Sequence, residues 1–306
     1  MTDPVQVRAP AKLNLHLAVG PRRADGFHEL VTVYQAVSLY DEVTASPSTE
    51  LSVRVRGEGA ADVPAGEDNL AARAALALAE LAGIEPMVAL DVSKAIPVAG
   101  GMAGGSADAA AALVACDALW QVGLSRPALF DLAAGLGSDV PFALTGGTAL
   151  GTGRGDRLSP VLAAGRWHWV LALSETGLAT PQVYRELDRR RRQSPGPAAG
   201  RPDRLINALR SGQPGALGQE LANDLQTAAV ALRPDLARTL EAGAELGAAG
   251  AVVSGSGPTC AFLAGSAEDA VRLAAALAGA GVCRTTRVAA GPVPGARLIT
   301  PGGPAE

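Results

Sequence analysis

Four glycines stand immediately before an alanine-rich helical run in Pro97-Val98-Ala99-Gly100-Gly101-Met102-Ala103-Gly104-Gly105-Ser106-Ala107. Glycine lets a backbone approach a phosphate closely and adopt φ > 0. A helix N-terminus adds unpaired N–H groups and the positive end of a dipole. The segment therefore reads as an anion cradle; the bland alternative is a flexible connection that lets two helices pack. It lacks the Gly-Lys-Ser/Thr of a Walker A loop, and its glycine spacing is not that of a dinucleotide fold. Ser106 opens the helix, where it caps the N-terminus, contacts phosphate or helps to hold Mg²⁺.

Of 26 basic residues, two are lysine, Lys12 and Lys94, and 24 are arginine. Where charge alone suffices this chain uses arginine, so a retained lysine points to chemistry that wants a compact ammonium; chance retention is the alternative. Asn14 falls on the same side of a strand as Lys12. Asp139, beside Pro141, reads locally as an N-cap or turn residue, and Thr180, before Pro181, as the N-cap of a helix. His28 sits in a turn and reads as solvent-exposed, whereas His16 and His168 lie in strands and carry no assigned chemistry. Arg189-Arg190-Arg191-Arg192 reads as a solvated helix end. Cys116, Cys260 and Cys283 lie in apolar runs at spacings that match no metal motif, which predicts reduced, buried thiols in a cytoplasmic protein.

Alternation predicts strands over residues 5–9, 13–19, 31–39, 51–56 and 87–92. Helical patterns cover 70–81, stopped by Gly83, then 107–120, and 127–136 with Ser125 as cap. Glycines punctuate a hairpin or loop from 146 to 155. A strand at 167–174 follows, and the Pro/Gly/Ala stretch 193–202 reads as a flexible loop. Helices are predicted over 204–211, 215–232 and 234–246. The chain then runs strand 251–253, a Ser-Gly-Ser-Gly turn, strand 259–264, helix 267–278 and strand 282–289, an α+β order. The 306 residues are 48% hydrophobic and 18% charged, the composition of a soluble globular chain. A net charge of −4 with no basic stripe beyond 189–192 argues against nucleic acid as a partner. No apolar run reaches membrane-spanning length, and residues 1–11 lack the apolar centre of a signal peptide.

The glycine segment, continued by Asp108-Ala109-Ala110, resembles the ATP-binding signature of the GHMP kinases, the relatives of galactokinase, homoserine kinase, mevalonate kinase and phosphomevalonate kinase. Met102 stands where leucine is usual, a volume-conserving change, and Ala103 where glycine or serine is frequent. Ala9-Pro10-Ala11-Lys12-Leu13-Asn14-Leu15 resembles their N-terminal motif, and Ser254-Gly255-Ser256-Gly257-Pro258-Thr259-Cys260-Ala261-Phe262 their C-terminal one. Three motifs in the family's order span the chain. Asp25-Gly26-Phe27-His28-Glu29-Leu30, Glu67-Asp68-Asn69-Leu70, Leu136-Gly137-Ser138-Asp139-Val140-Pro141-Phe142 and Gly147-Thr148-Ala149 resemble the diphosphocytidyl-methylerythritol kinase branch. Phe27 replaces a more frequent tyrosine there, which keeps the ring and removes a phenol hydrogen bond.

The resemblance implies a two-domain α+β fold. A ribosomal protein S5 domain 2-like N-terminal domain, residues 1–160, would hold ATP, and a ferredoxin-like C-terminal domain, residues 161–306, would close the site. It implies Mg²⁺-assisted transfer of the ATP γ-phosphate to the 2-hydroxyl of 4-diphosphocytidyl-2-C-methyl-D-erythritol, on the non-mevalonate route to isoprenoid precursors. Asp139 is then the base at the reacting hydroxyl and Lys12 its neighbour. Asn14 and Thr180 meet the substrate, Phe27 stacks on cytosine and His28 hydrogen-bonds its edge. Asn69, Lys94 and residues 97–107 surround the nucleotide, and the turn 254–257 closes over phosphates or substrate. The rivals are a homoserine- or mevalonate-type kinase, an inactive GHMP ligand sensor and a diphosphate decarboxylase. Monomer and homodimer both fit.

Overall fold

The computed structural model describes residues 3–64, 66–193 and 200–299. The apolar alternations at 5–9 and 13–19 form one strand, β1 (Val5–Arg22), antiparallel to β2 (His28–Pro47). Pro10 interrupts the pattern in sequence. In the sheet, register shifts at Pro10/Ala11 and Asn14/His16 absorb the interruption, and such irregularities re-aim side chains. β4 (Val88–Lys94) pairs with β2, and β3 (Ser52–Gly57) with β4. β5 (Thr148–Gly153) and β6 (Arg157–Pro160) form a hairpin whose first strand also pairs with β2.

Three helices pack on this sheet, α1 (Leu70–Ala82), α2 (Gly104–Trp120) and α4 (Val140–Thr145), and α3 (Arg126–Leu136), which precedes α4, packs on those helices. α2 is apolar around most of its circumference, the signature of a helix enclosed by protein, and eleven of its seventeen residues are buried. Its alanines permit close approach of β1, β2 and α1. Gly83 ends α1 at φ 66, as its type and place predict, and Ser125 Oγ accepts from Ala128 N at the start of α3.

The second sheet is β7 (Trp167–Leu173), β9 (Gly250–Val253), β10 (Cys260–Ala264) and β11 (Thr285–Gly291) in the order β11-β7-β10-β9, antiparallel throughout. With α10 (Ala267–Gly279) between β10 and β11, this is the ferredoxin-like arrangement. The strand predicted from residue 282 begins at Thr285. Between β7 and β9 lie α5 (Thr180–Gln193), α6 (Asp203–Ser211), α7 (Pro214–Gln219), β8 (Ala222–Asn223), α8 (Gln226–Leu232) and α9 (Asp235–Glu245).

The helix predicted over 215–232 is thus broken. β8 pairs in parallel with β1, and the Asn223 amide donates to the carbonyls of Val253 and Gly255, so long-range pairing overrides a local helical pattern. β12 (Arg297–Leu298) also returns to β1. The loop predicted over 193–202 lies mostly outside the described residues. Among the described residues no helix is long and apolar enough to cross a membrane.

Two contacts fasten the sheets together at the site. A Cβ on Gly101 would overlap the Ser254 carbonyl and stand 2.9 Å from Gly257 N, so only glycine lets the loop and the 254–257 turn interlock. Ser254 Oγ donates to Gly101 O at 3.1 Å. Arg191, predicted as part of a solvated helix end, instead donates to Val19 O at 2.7 Å and Asp224 Oδ2 at 2.9 Å, tying α5 to β1.

Candidate active site

A cavity of about 740 Å³ opens between the sheets, lined by the glycine loop and Lys94 and by Lys12, Asp139 and the 27–28 turn. Pro97, Val98, Ala99, Gly100, Gly101, Ala103, Gly104 and Gly105 line it. Ala99 and Ala103 hold φ of 50° and 60°, a left-handed conformation that costs an alanine strain, and such strain collects at functional loops. Helix α2 starts at Gly104, with Ala103 at the N-cap and no side-chain cap. The expected cap at Ser106 is therefore corrected: the loop turns two residues earlier, and Ser106 falls inside the first helical turn. Ser106, Met102 and Ala107 stand off the cavity wall.

Lys94 stands beside the glycine loop, its ammonium 3.1 Å from where a Cβ on Gly104 would lie. Its ammonium donates to Asp41 Oδ2 at 2.5 Å and Asp108 Oδ2 at 2.6 Å. Asp41 Oδ1 accepts from Ala95 N and Ile96 N, which pins the entry to the loop. Burial opposes charge on Lys94, but Asp108 and Asp41 outweigh it and hold its pKa above the ordinary lysine value. Burial pushes the Asp108 carboxyl up to about 7; Lys94 opposes this and Asp41 adds to it. Asp108 Oδ1 is buried without a hydrogen-bond partner. Asn69 does not line the wall: its side chain caps α1 by accepting from Ala71 N and donates to Pro64 O. Pro64 itself lines the cavity.

Strand alternation and the bulge before His16 put Lys12 and Asn14 side by side, and Lys12 N donates to Met102 O of the loop at 3.2 Å. Lys12 Nζ donates to Asn14 Oδ1 at 2.6 Å and stands 3.8 Å from Asp139 Oδ2. Asn14 donates in turn to Thr32 Oγ1. Asp139 occupies the N-cap of α4 but makes no capping bond, so its carboxylate turns to the cavity and accepts from the Tyr34 hydroxyl at 3.1 Å. Burial, with the Asp139 charge beside it, holds the Tyr34 pKa well above that of an ordinary phenol. Thr180 is the first residue of α5, yet the carbonyl that accepts the first helical N–H groups is that of Ala179. The predicted Thr180 cap is thus replaced by a hydroxyl pair with Ser256 Oγ at 2.8 Å across the cavity mouth.

Phe27 keeps an exposed ring with the Arg154 guanidinium 5.4 Å above it. His28, predicted exposed from its turn, is buried: it stacks on Tyr184 and shares Nε2 with Asp188 Oδ1 at 2.9 Å. Tyr34, Tyr184, Asp188, Arg154 and Asp108 line the cavity without having been picked from sequence. A signal existed for part of this set. Thr180, Tyr184 and Asp188 recur at i, i+4 and i+8, one face of a helix, and Asp108 lies one turn beyond Gly104. Nothing local marks Tyr34 in its strand.

Comparison with known proteins agrees with this geometry. The GHMP kinases N terminal domain matches residues 69–147, and the GHMP kinases C terminal domain matches residues 205–283. The chain is 60% identical over 299 residues to the 4-diphosphocytidyl-2-C-methyl-D-erythritol kinase of Nocardia farcinica, covering 98% of this chain and 97% of that one. The enzyme of the same name from Rhodococcus jostii is 60% identical over 296 residues, covering 97% and 95%. A crystal structure of 4-(cytidine 5'-diphospho)-2C-methyl-D-erythritol kinase superposes with a TM-score of 0.75 at 35% identity over 93% of this chain and 98% of that one. The homoserine kinase of Cytophaga hutchinsonii superposes with a TM-score of 0.76 at 19% identity, covering 98% of both chains, and shares the fold alone. The chain belongs to the GHMP kinases, which use ATP, and within them to the 4-diphosphocytidyl-2-C-methyl-D-erythritol kinase family.

Proposed function

We propose that this chain moves the γ-phosphoryl group of ATP to the 2-hydroxyl of 4-diphosphocytidyl-2-C-methyl-D-erythritol, giving the 2-phosphate and ADP on the non-mevalonate route to isoprenoid precursors. The observation that carries the reading is one cavity lined by both a glycine-built anion cradle and Lys12 beside Asp139, with Lys12 N donating to Met102 O of the loop at 3.2 Å. The 2-hydroxyl oxygen bonds to the γ-phosphorus as the bond from that phosphorus to the β–γ bridging oxygen breaks. The hydroxyl proton passes to Asp139. A carboxylate suits a late transfer, when the attacking oxygen has become acidic.

Lys12 neutralises charge on the phosphoryl group in flight. Asn14 and Thr180 orient the acceptor. Phe27 offers its exposed ring to cytosine, and His28, with Nε2 held by Asp188, offers Nδ1 to the base edge. Lys94 and the loop hold the nucleotide phosphates. Mg²⁺, where bound, neutralises phosphate charge. The unpartnered Asp108 Oδ1 beside the cradle fits such a cation, whereas Ser106 stands off the wall. Division of the chain near residue 160 belongs to the same proposal, since β6 ends at Pro160 and the second sheet starts at Trp167. Buried thiols at Cys116 and Cys260, pushed up to about 12 by burial, support a cytoplasmic setting; Cys283 is only half-buried.

The test is ADP release by the purified protein with Mg²⁺-ATP and, in parallel, 4-diphosphocytidyl-2-C-methyl-D-erythritol, homoserine and mevalonate. Turnover with the cytidine substrate alone is the expected result. Turnover with another alcohol instead removes the substrate and keeps the kinase. ATP binding without turnover on any of the three favours a ligand sensor.

A further inference from the structure

We propose that Tyr34 is a positioning residue for the phosphoryl transfer: its hydroxyl holds one oxygen of Asp139 so that the other is presented to the acceptor. The inference rests on the reading of Asp139 as the group that takes the hydroxyl proton.

Tyr34 is buried, and the hydrogen-bond partner of its hydroxyl is Asp139 Oδ1 at 3.1 Å. Lys12 approaches Oδ2, the oxygen that Tyr34 leaves uncommitted. The side chain of Asp139 is 27% exposed and makes no capping bond to its own helix, so the chain near it supplies little else to fix its rotamer. Tyr34 is itself held on several sides. Its ring stacks on Phe142 with centroids 4.8 Å apart, and the Lys12 ammonium lies 5.6 Å from its centroid on the site side.

The hairpin β5–β6 is shaped around this tyrosine. A Cβ on Gly151 would stand 2.7 Å from Tyr34 Cε2, and one on Gly155 would overlap the hydroxyl. Two glycines therefore leave room for a phenol where a smaller residue would need none. Because burial and the neighbouring carboxylate raise the phenol pKa, Tyr34 stays a donor across the working range. The charged and titratable groups that face Asp139 come from three elements: Lys12 of β1, Tyr34 of β2 and Tyr184 of α5. Of these, Tyr34 alone donates a hydrogen bond to the carboxylate.

Tyr34→Phe removes the donor and keeps the ring. The expected result is a fall in kcat of about tenfold, the worth of a hydrogen bond to a charged group, with KM for ATP within about twofold of wild type. The acidic limb of the kcat/KM–pH profile should move up by about half to one pH unit, because a carboxylate that loses a donor is easier to protonate. On an Asp139→Asn background the same change should add nothing, since the pair acts as a unit. The Asp139 carboxyl ¹³C resonance, titrated without substrate, should move in the same direction as the limb. This last readout needs no turnover, so failure of the proposed reaction and failure of this inference are distinguishable.

A Tyr34→Phe protein with wild-type kcat and an unmoved limb and resonance overturns the proposal. So does an equal proportional loss with and without Asp139. Should the phenylalanine variant not fold, Gly151→Ala, which presses on the ring while keeping the hydroxyl, has to show the same shifts.

Discussion

The two lysines of this chain line one cavity, and their immediate partners differ. Lys94 is clamped between two carboxylates at 2.5 and 2.6 Å with its side chain 1% exposed. Lys12 is tied to an amide oxygen at 2.6 Å and stands 3.8 Å from its one carboxylate. A buried ammonium with two short bonds to carboxyl groups is fixed by the fold, and removing it strands its partners in a low dielectric. An ammonium at the longer distance keeps part of its field for a ligand. Beside the glycine loop the charge serves architecture as well as the proposed phosphate contact, since Asp41 also pins the Ala95 and Ile96 amides. Beside Asp139 the longer separation is what the proposed role of Lys12 in phosphoryl transfer requires.

Exchanging each lysine for methionine, which keeps most of the side-chain volume, would break this contrast if it were wrong. Lys94→Met should lose about 3–5 kcal/mol of folding stability in urea titration, the cost of leaving buried partners unpaired. Lys12→Met should lose under about 1 kcal/mol of stability yet cut kcat by about 100-fold or more, as removal of a group that stabilises transferring charge does. Equal stability losses in the two variants would end the distinction between them.

The acidic partner of Lys94 sharpens the same contrast through pH. The Asp108 carboxyl is pushed up to about 7 by burial, whereas an unfolded aspartate titrates at about 3.9. Between those values the folded chain keeps a proton that the unfolded chain has released. The stability this group contributes is therefore complete below about pH 4, falls as pH rises, and is gone above about pH 7. In metal-free protein, wild type should lose about 3 kcal/mol relative to Asp108→Asn between pH 4.5 and 7.5. Parallel stability curves for the two proteins would show that Lys94 already keeps Asp108 ionised throughout that range.

What could be read from the sequence follows the same divide. The cradle was legible because glycines and the following alanine run are local signals, and Lys12 with Asn14 because strand alternation puts them on one side. The lysine count flagged Lys12 and Lys94 before any geometry was known. The partners that define their roles were not legible: Asp41 lies 53 residues before Lys94, and Tyr34 105 residues before Asp139. Such pairs depend on register in the β2 ladders, which no local pattern encodes. The same holds for β8, where pairing with β1 broke a segment whose alanines and leucines read as helix. The burial of His28 was not legible for the same reason, since the ring and carboxylate that bury it come from α5.

Ser106 gives the smallest expected effect and the cleanest separation of local from long-range reasoning. A serine opening a helix after a glycine loop should cap it, and loss of such a cap costs about 1 kcal/mol. The helix begins instead at Gly104, with Ala103 at the N-cap in a left-handed conformation, so the Ser106 side chain caps nothing. Alanine is the better helix former by a few tenths of a kcal/mol. Ser106→Ala should therefore leave stability unchanged or raise it by less than about 0.5 kcal/mol. Affinity for Mg²⁺-ATP, read by calorimetry, should stay within about twofold, because the residue stands off the cavity wall. A loss of about 1 kcal/mol would restore the cap that sequence spacing predicts, and a fall in Mg²⁺-ATP affinity alone would bring Ser106 back to the nucleotide as a ligand.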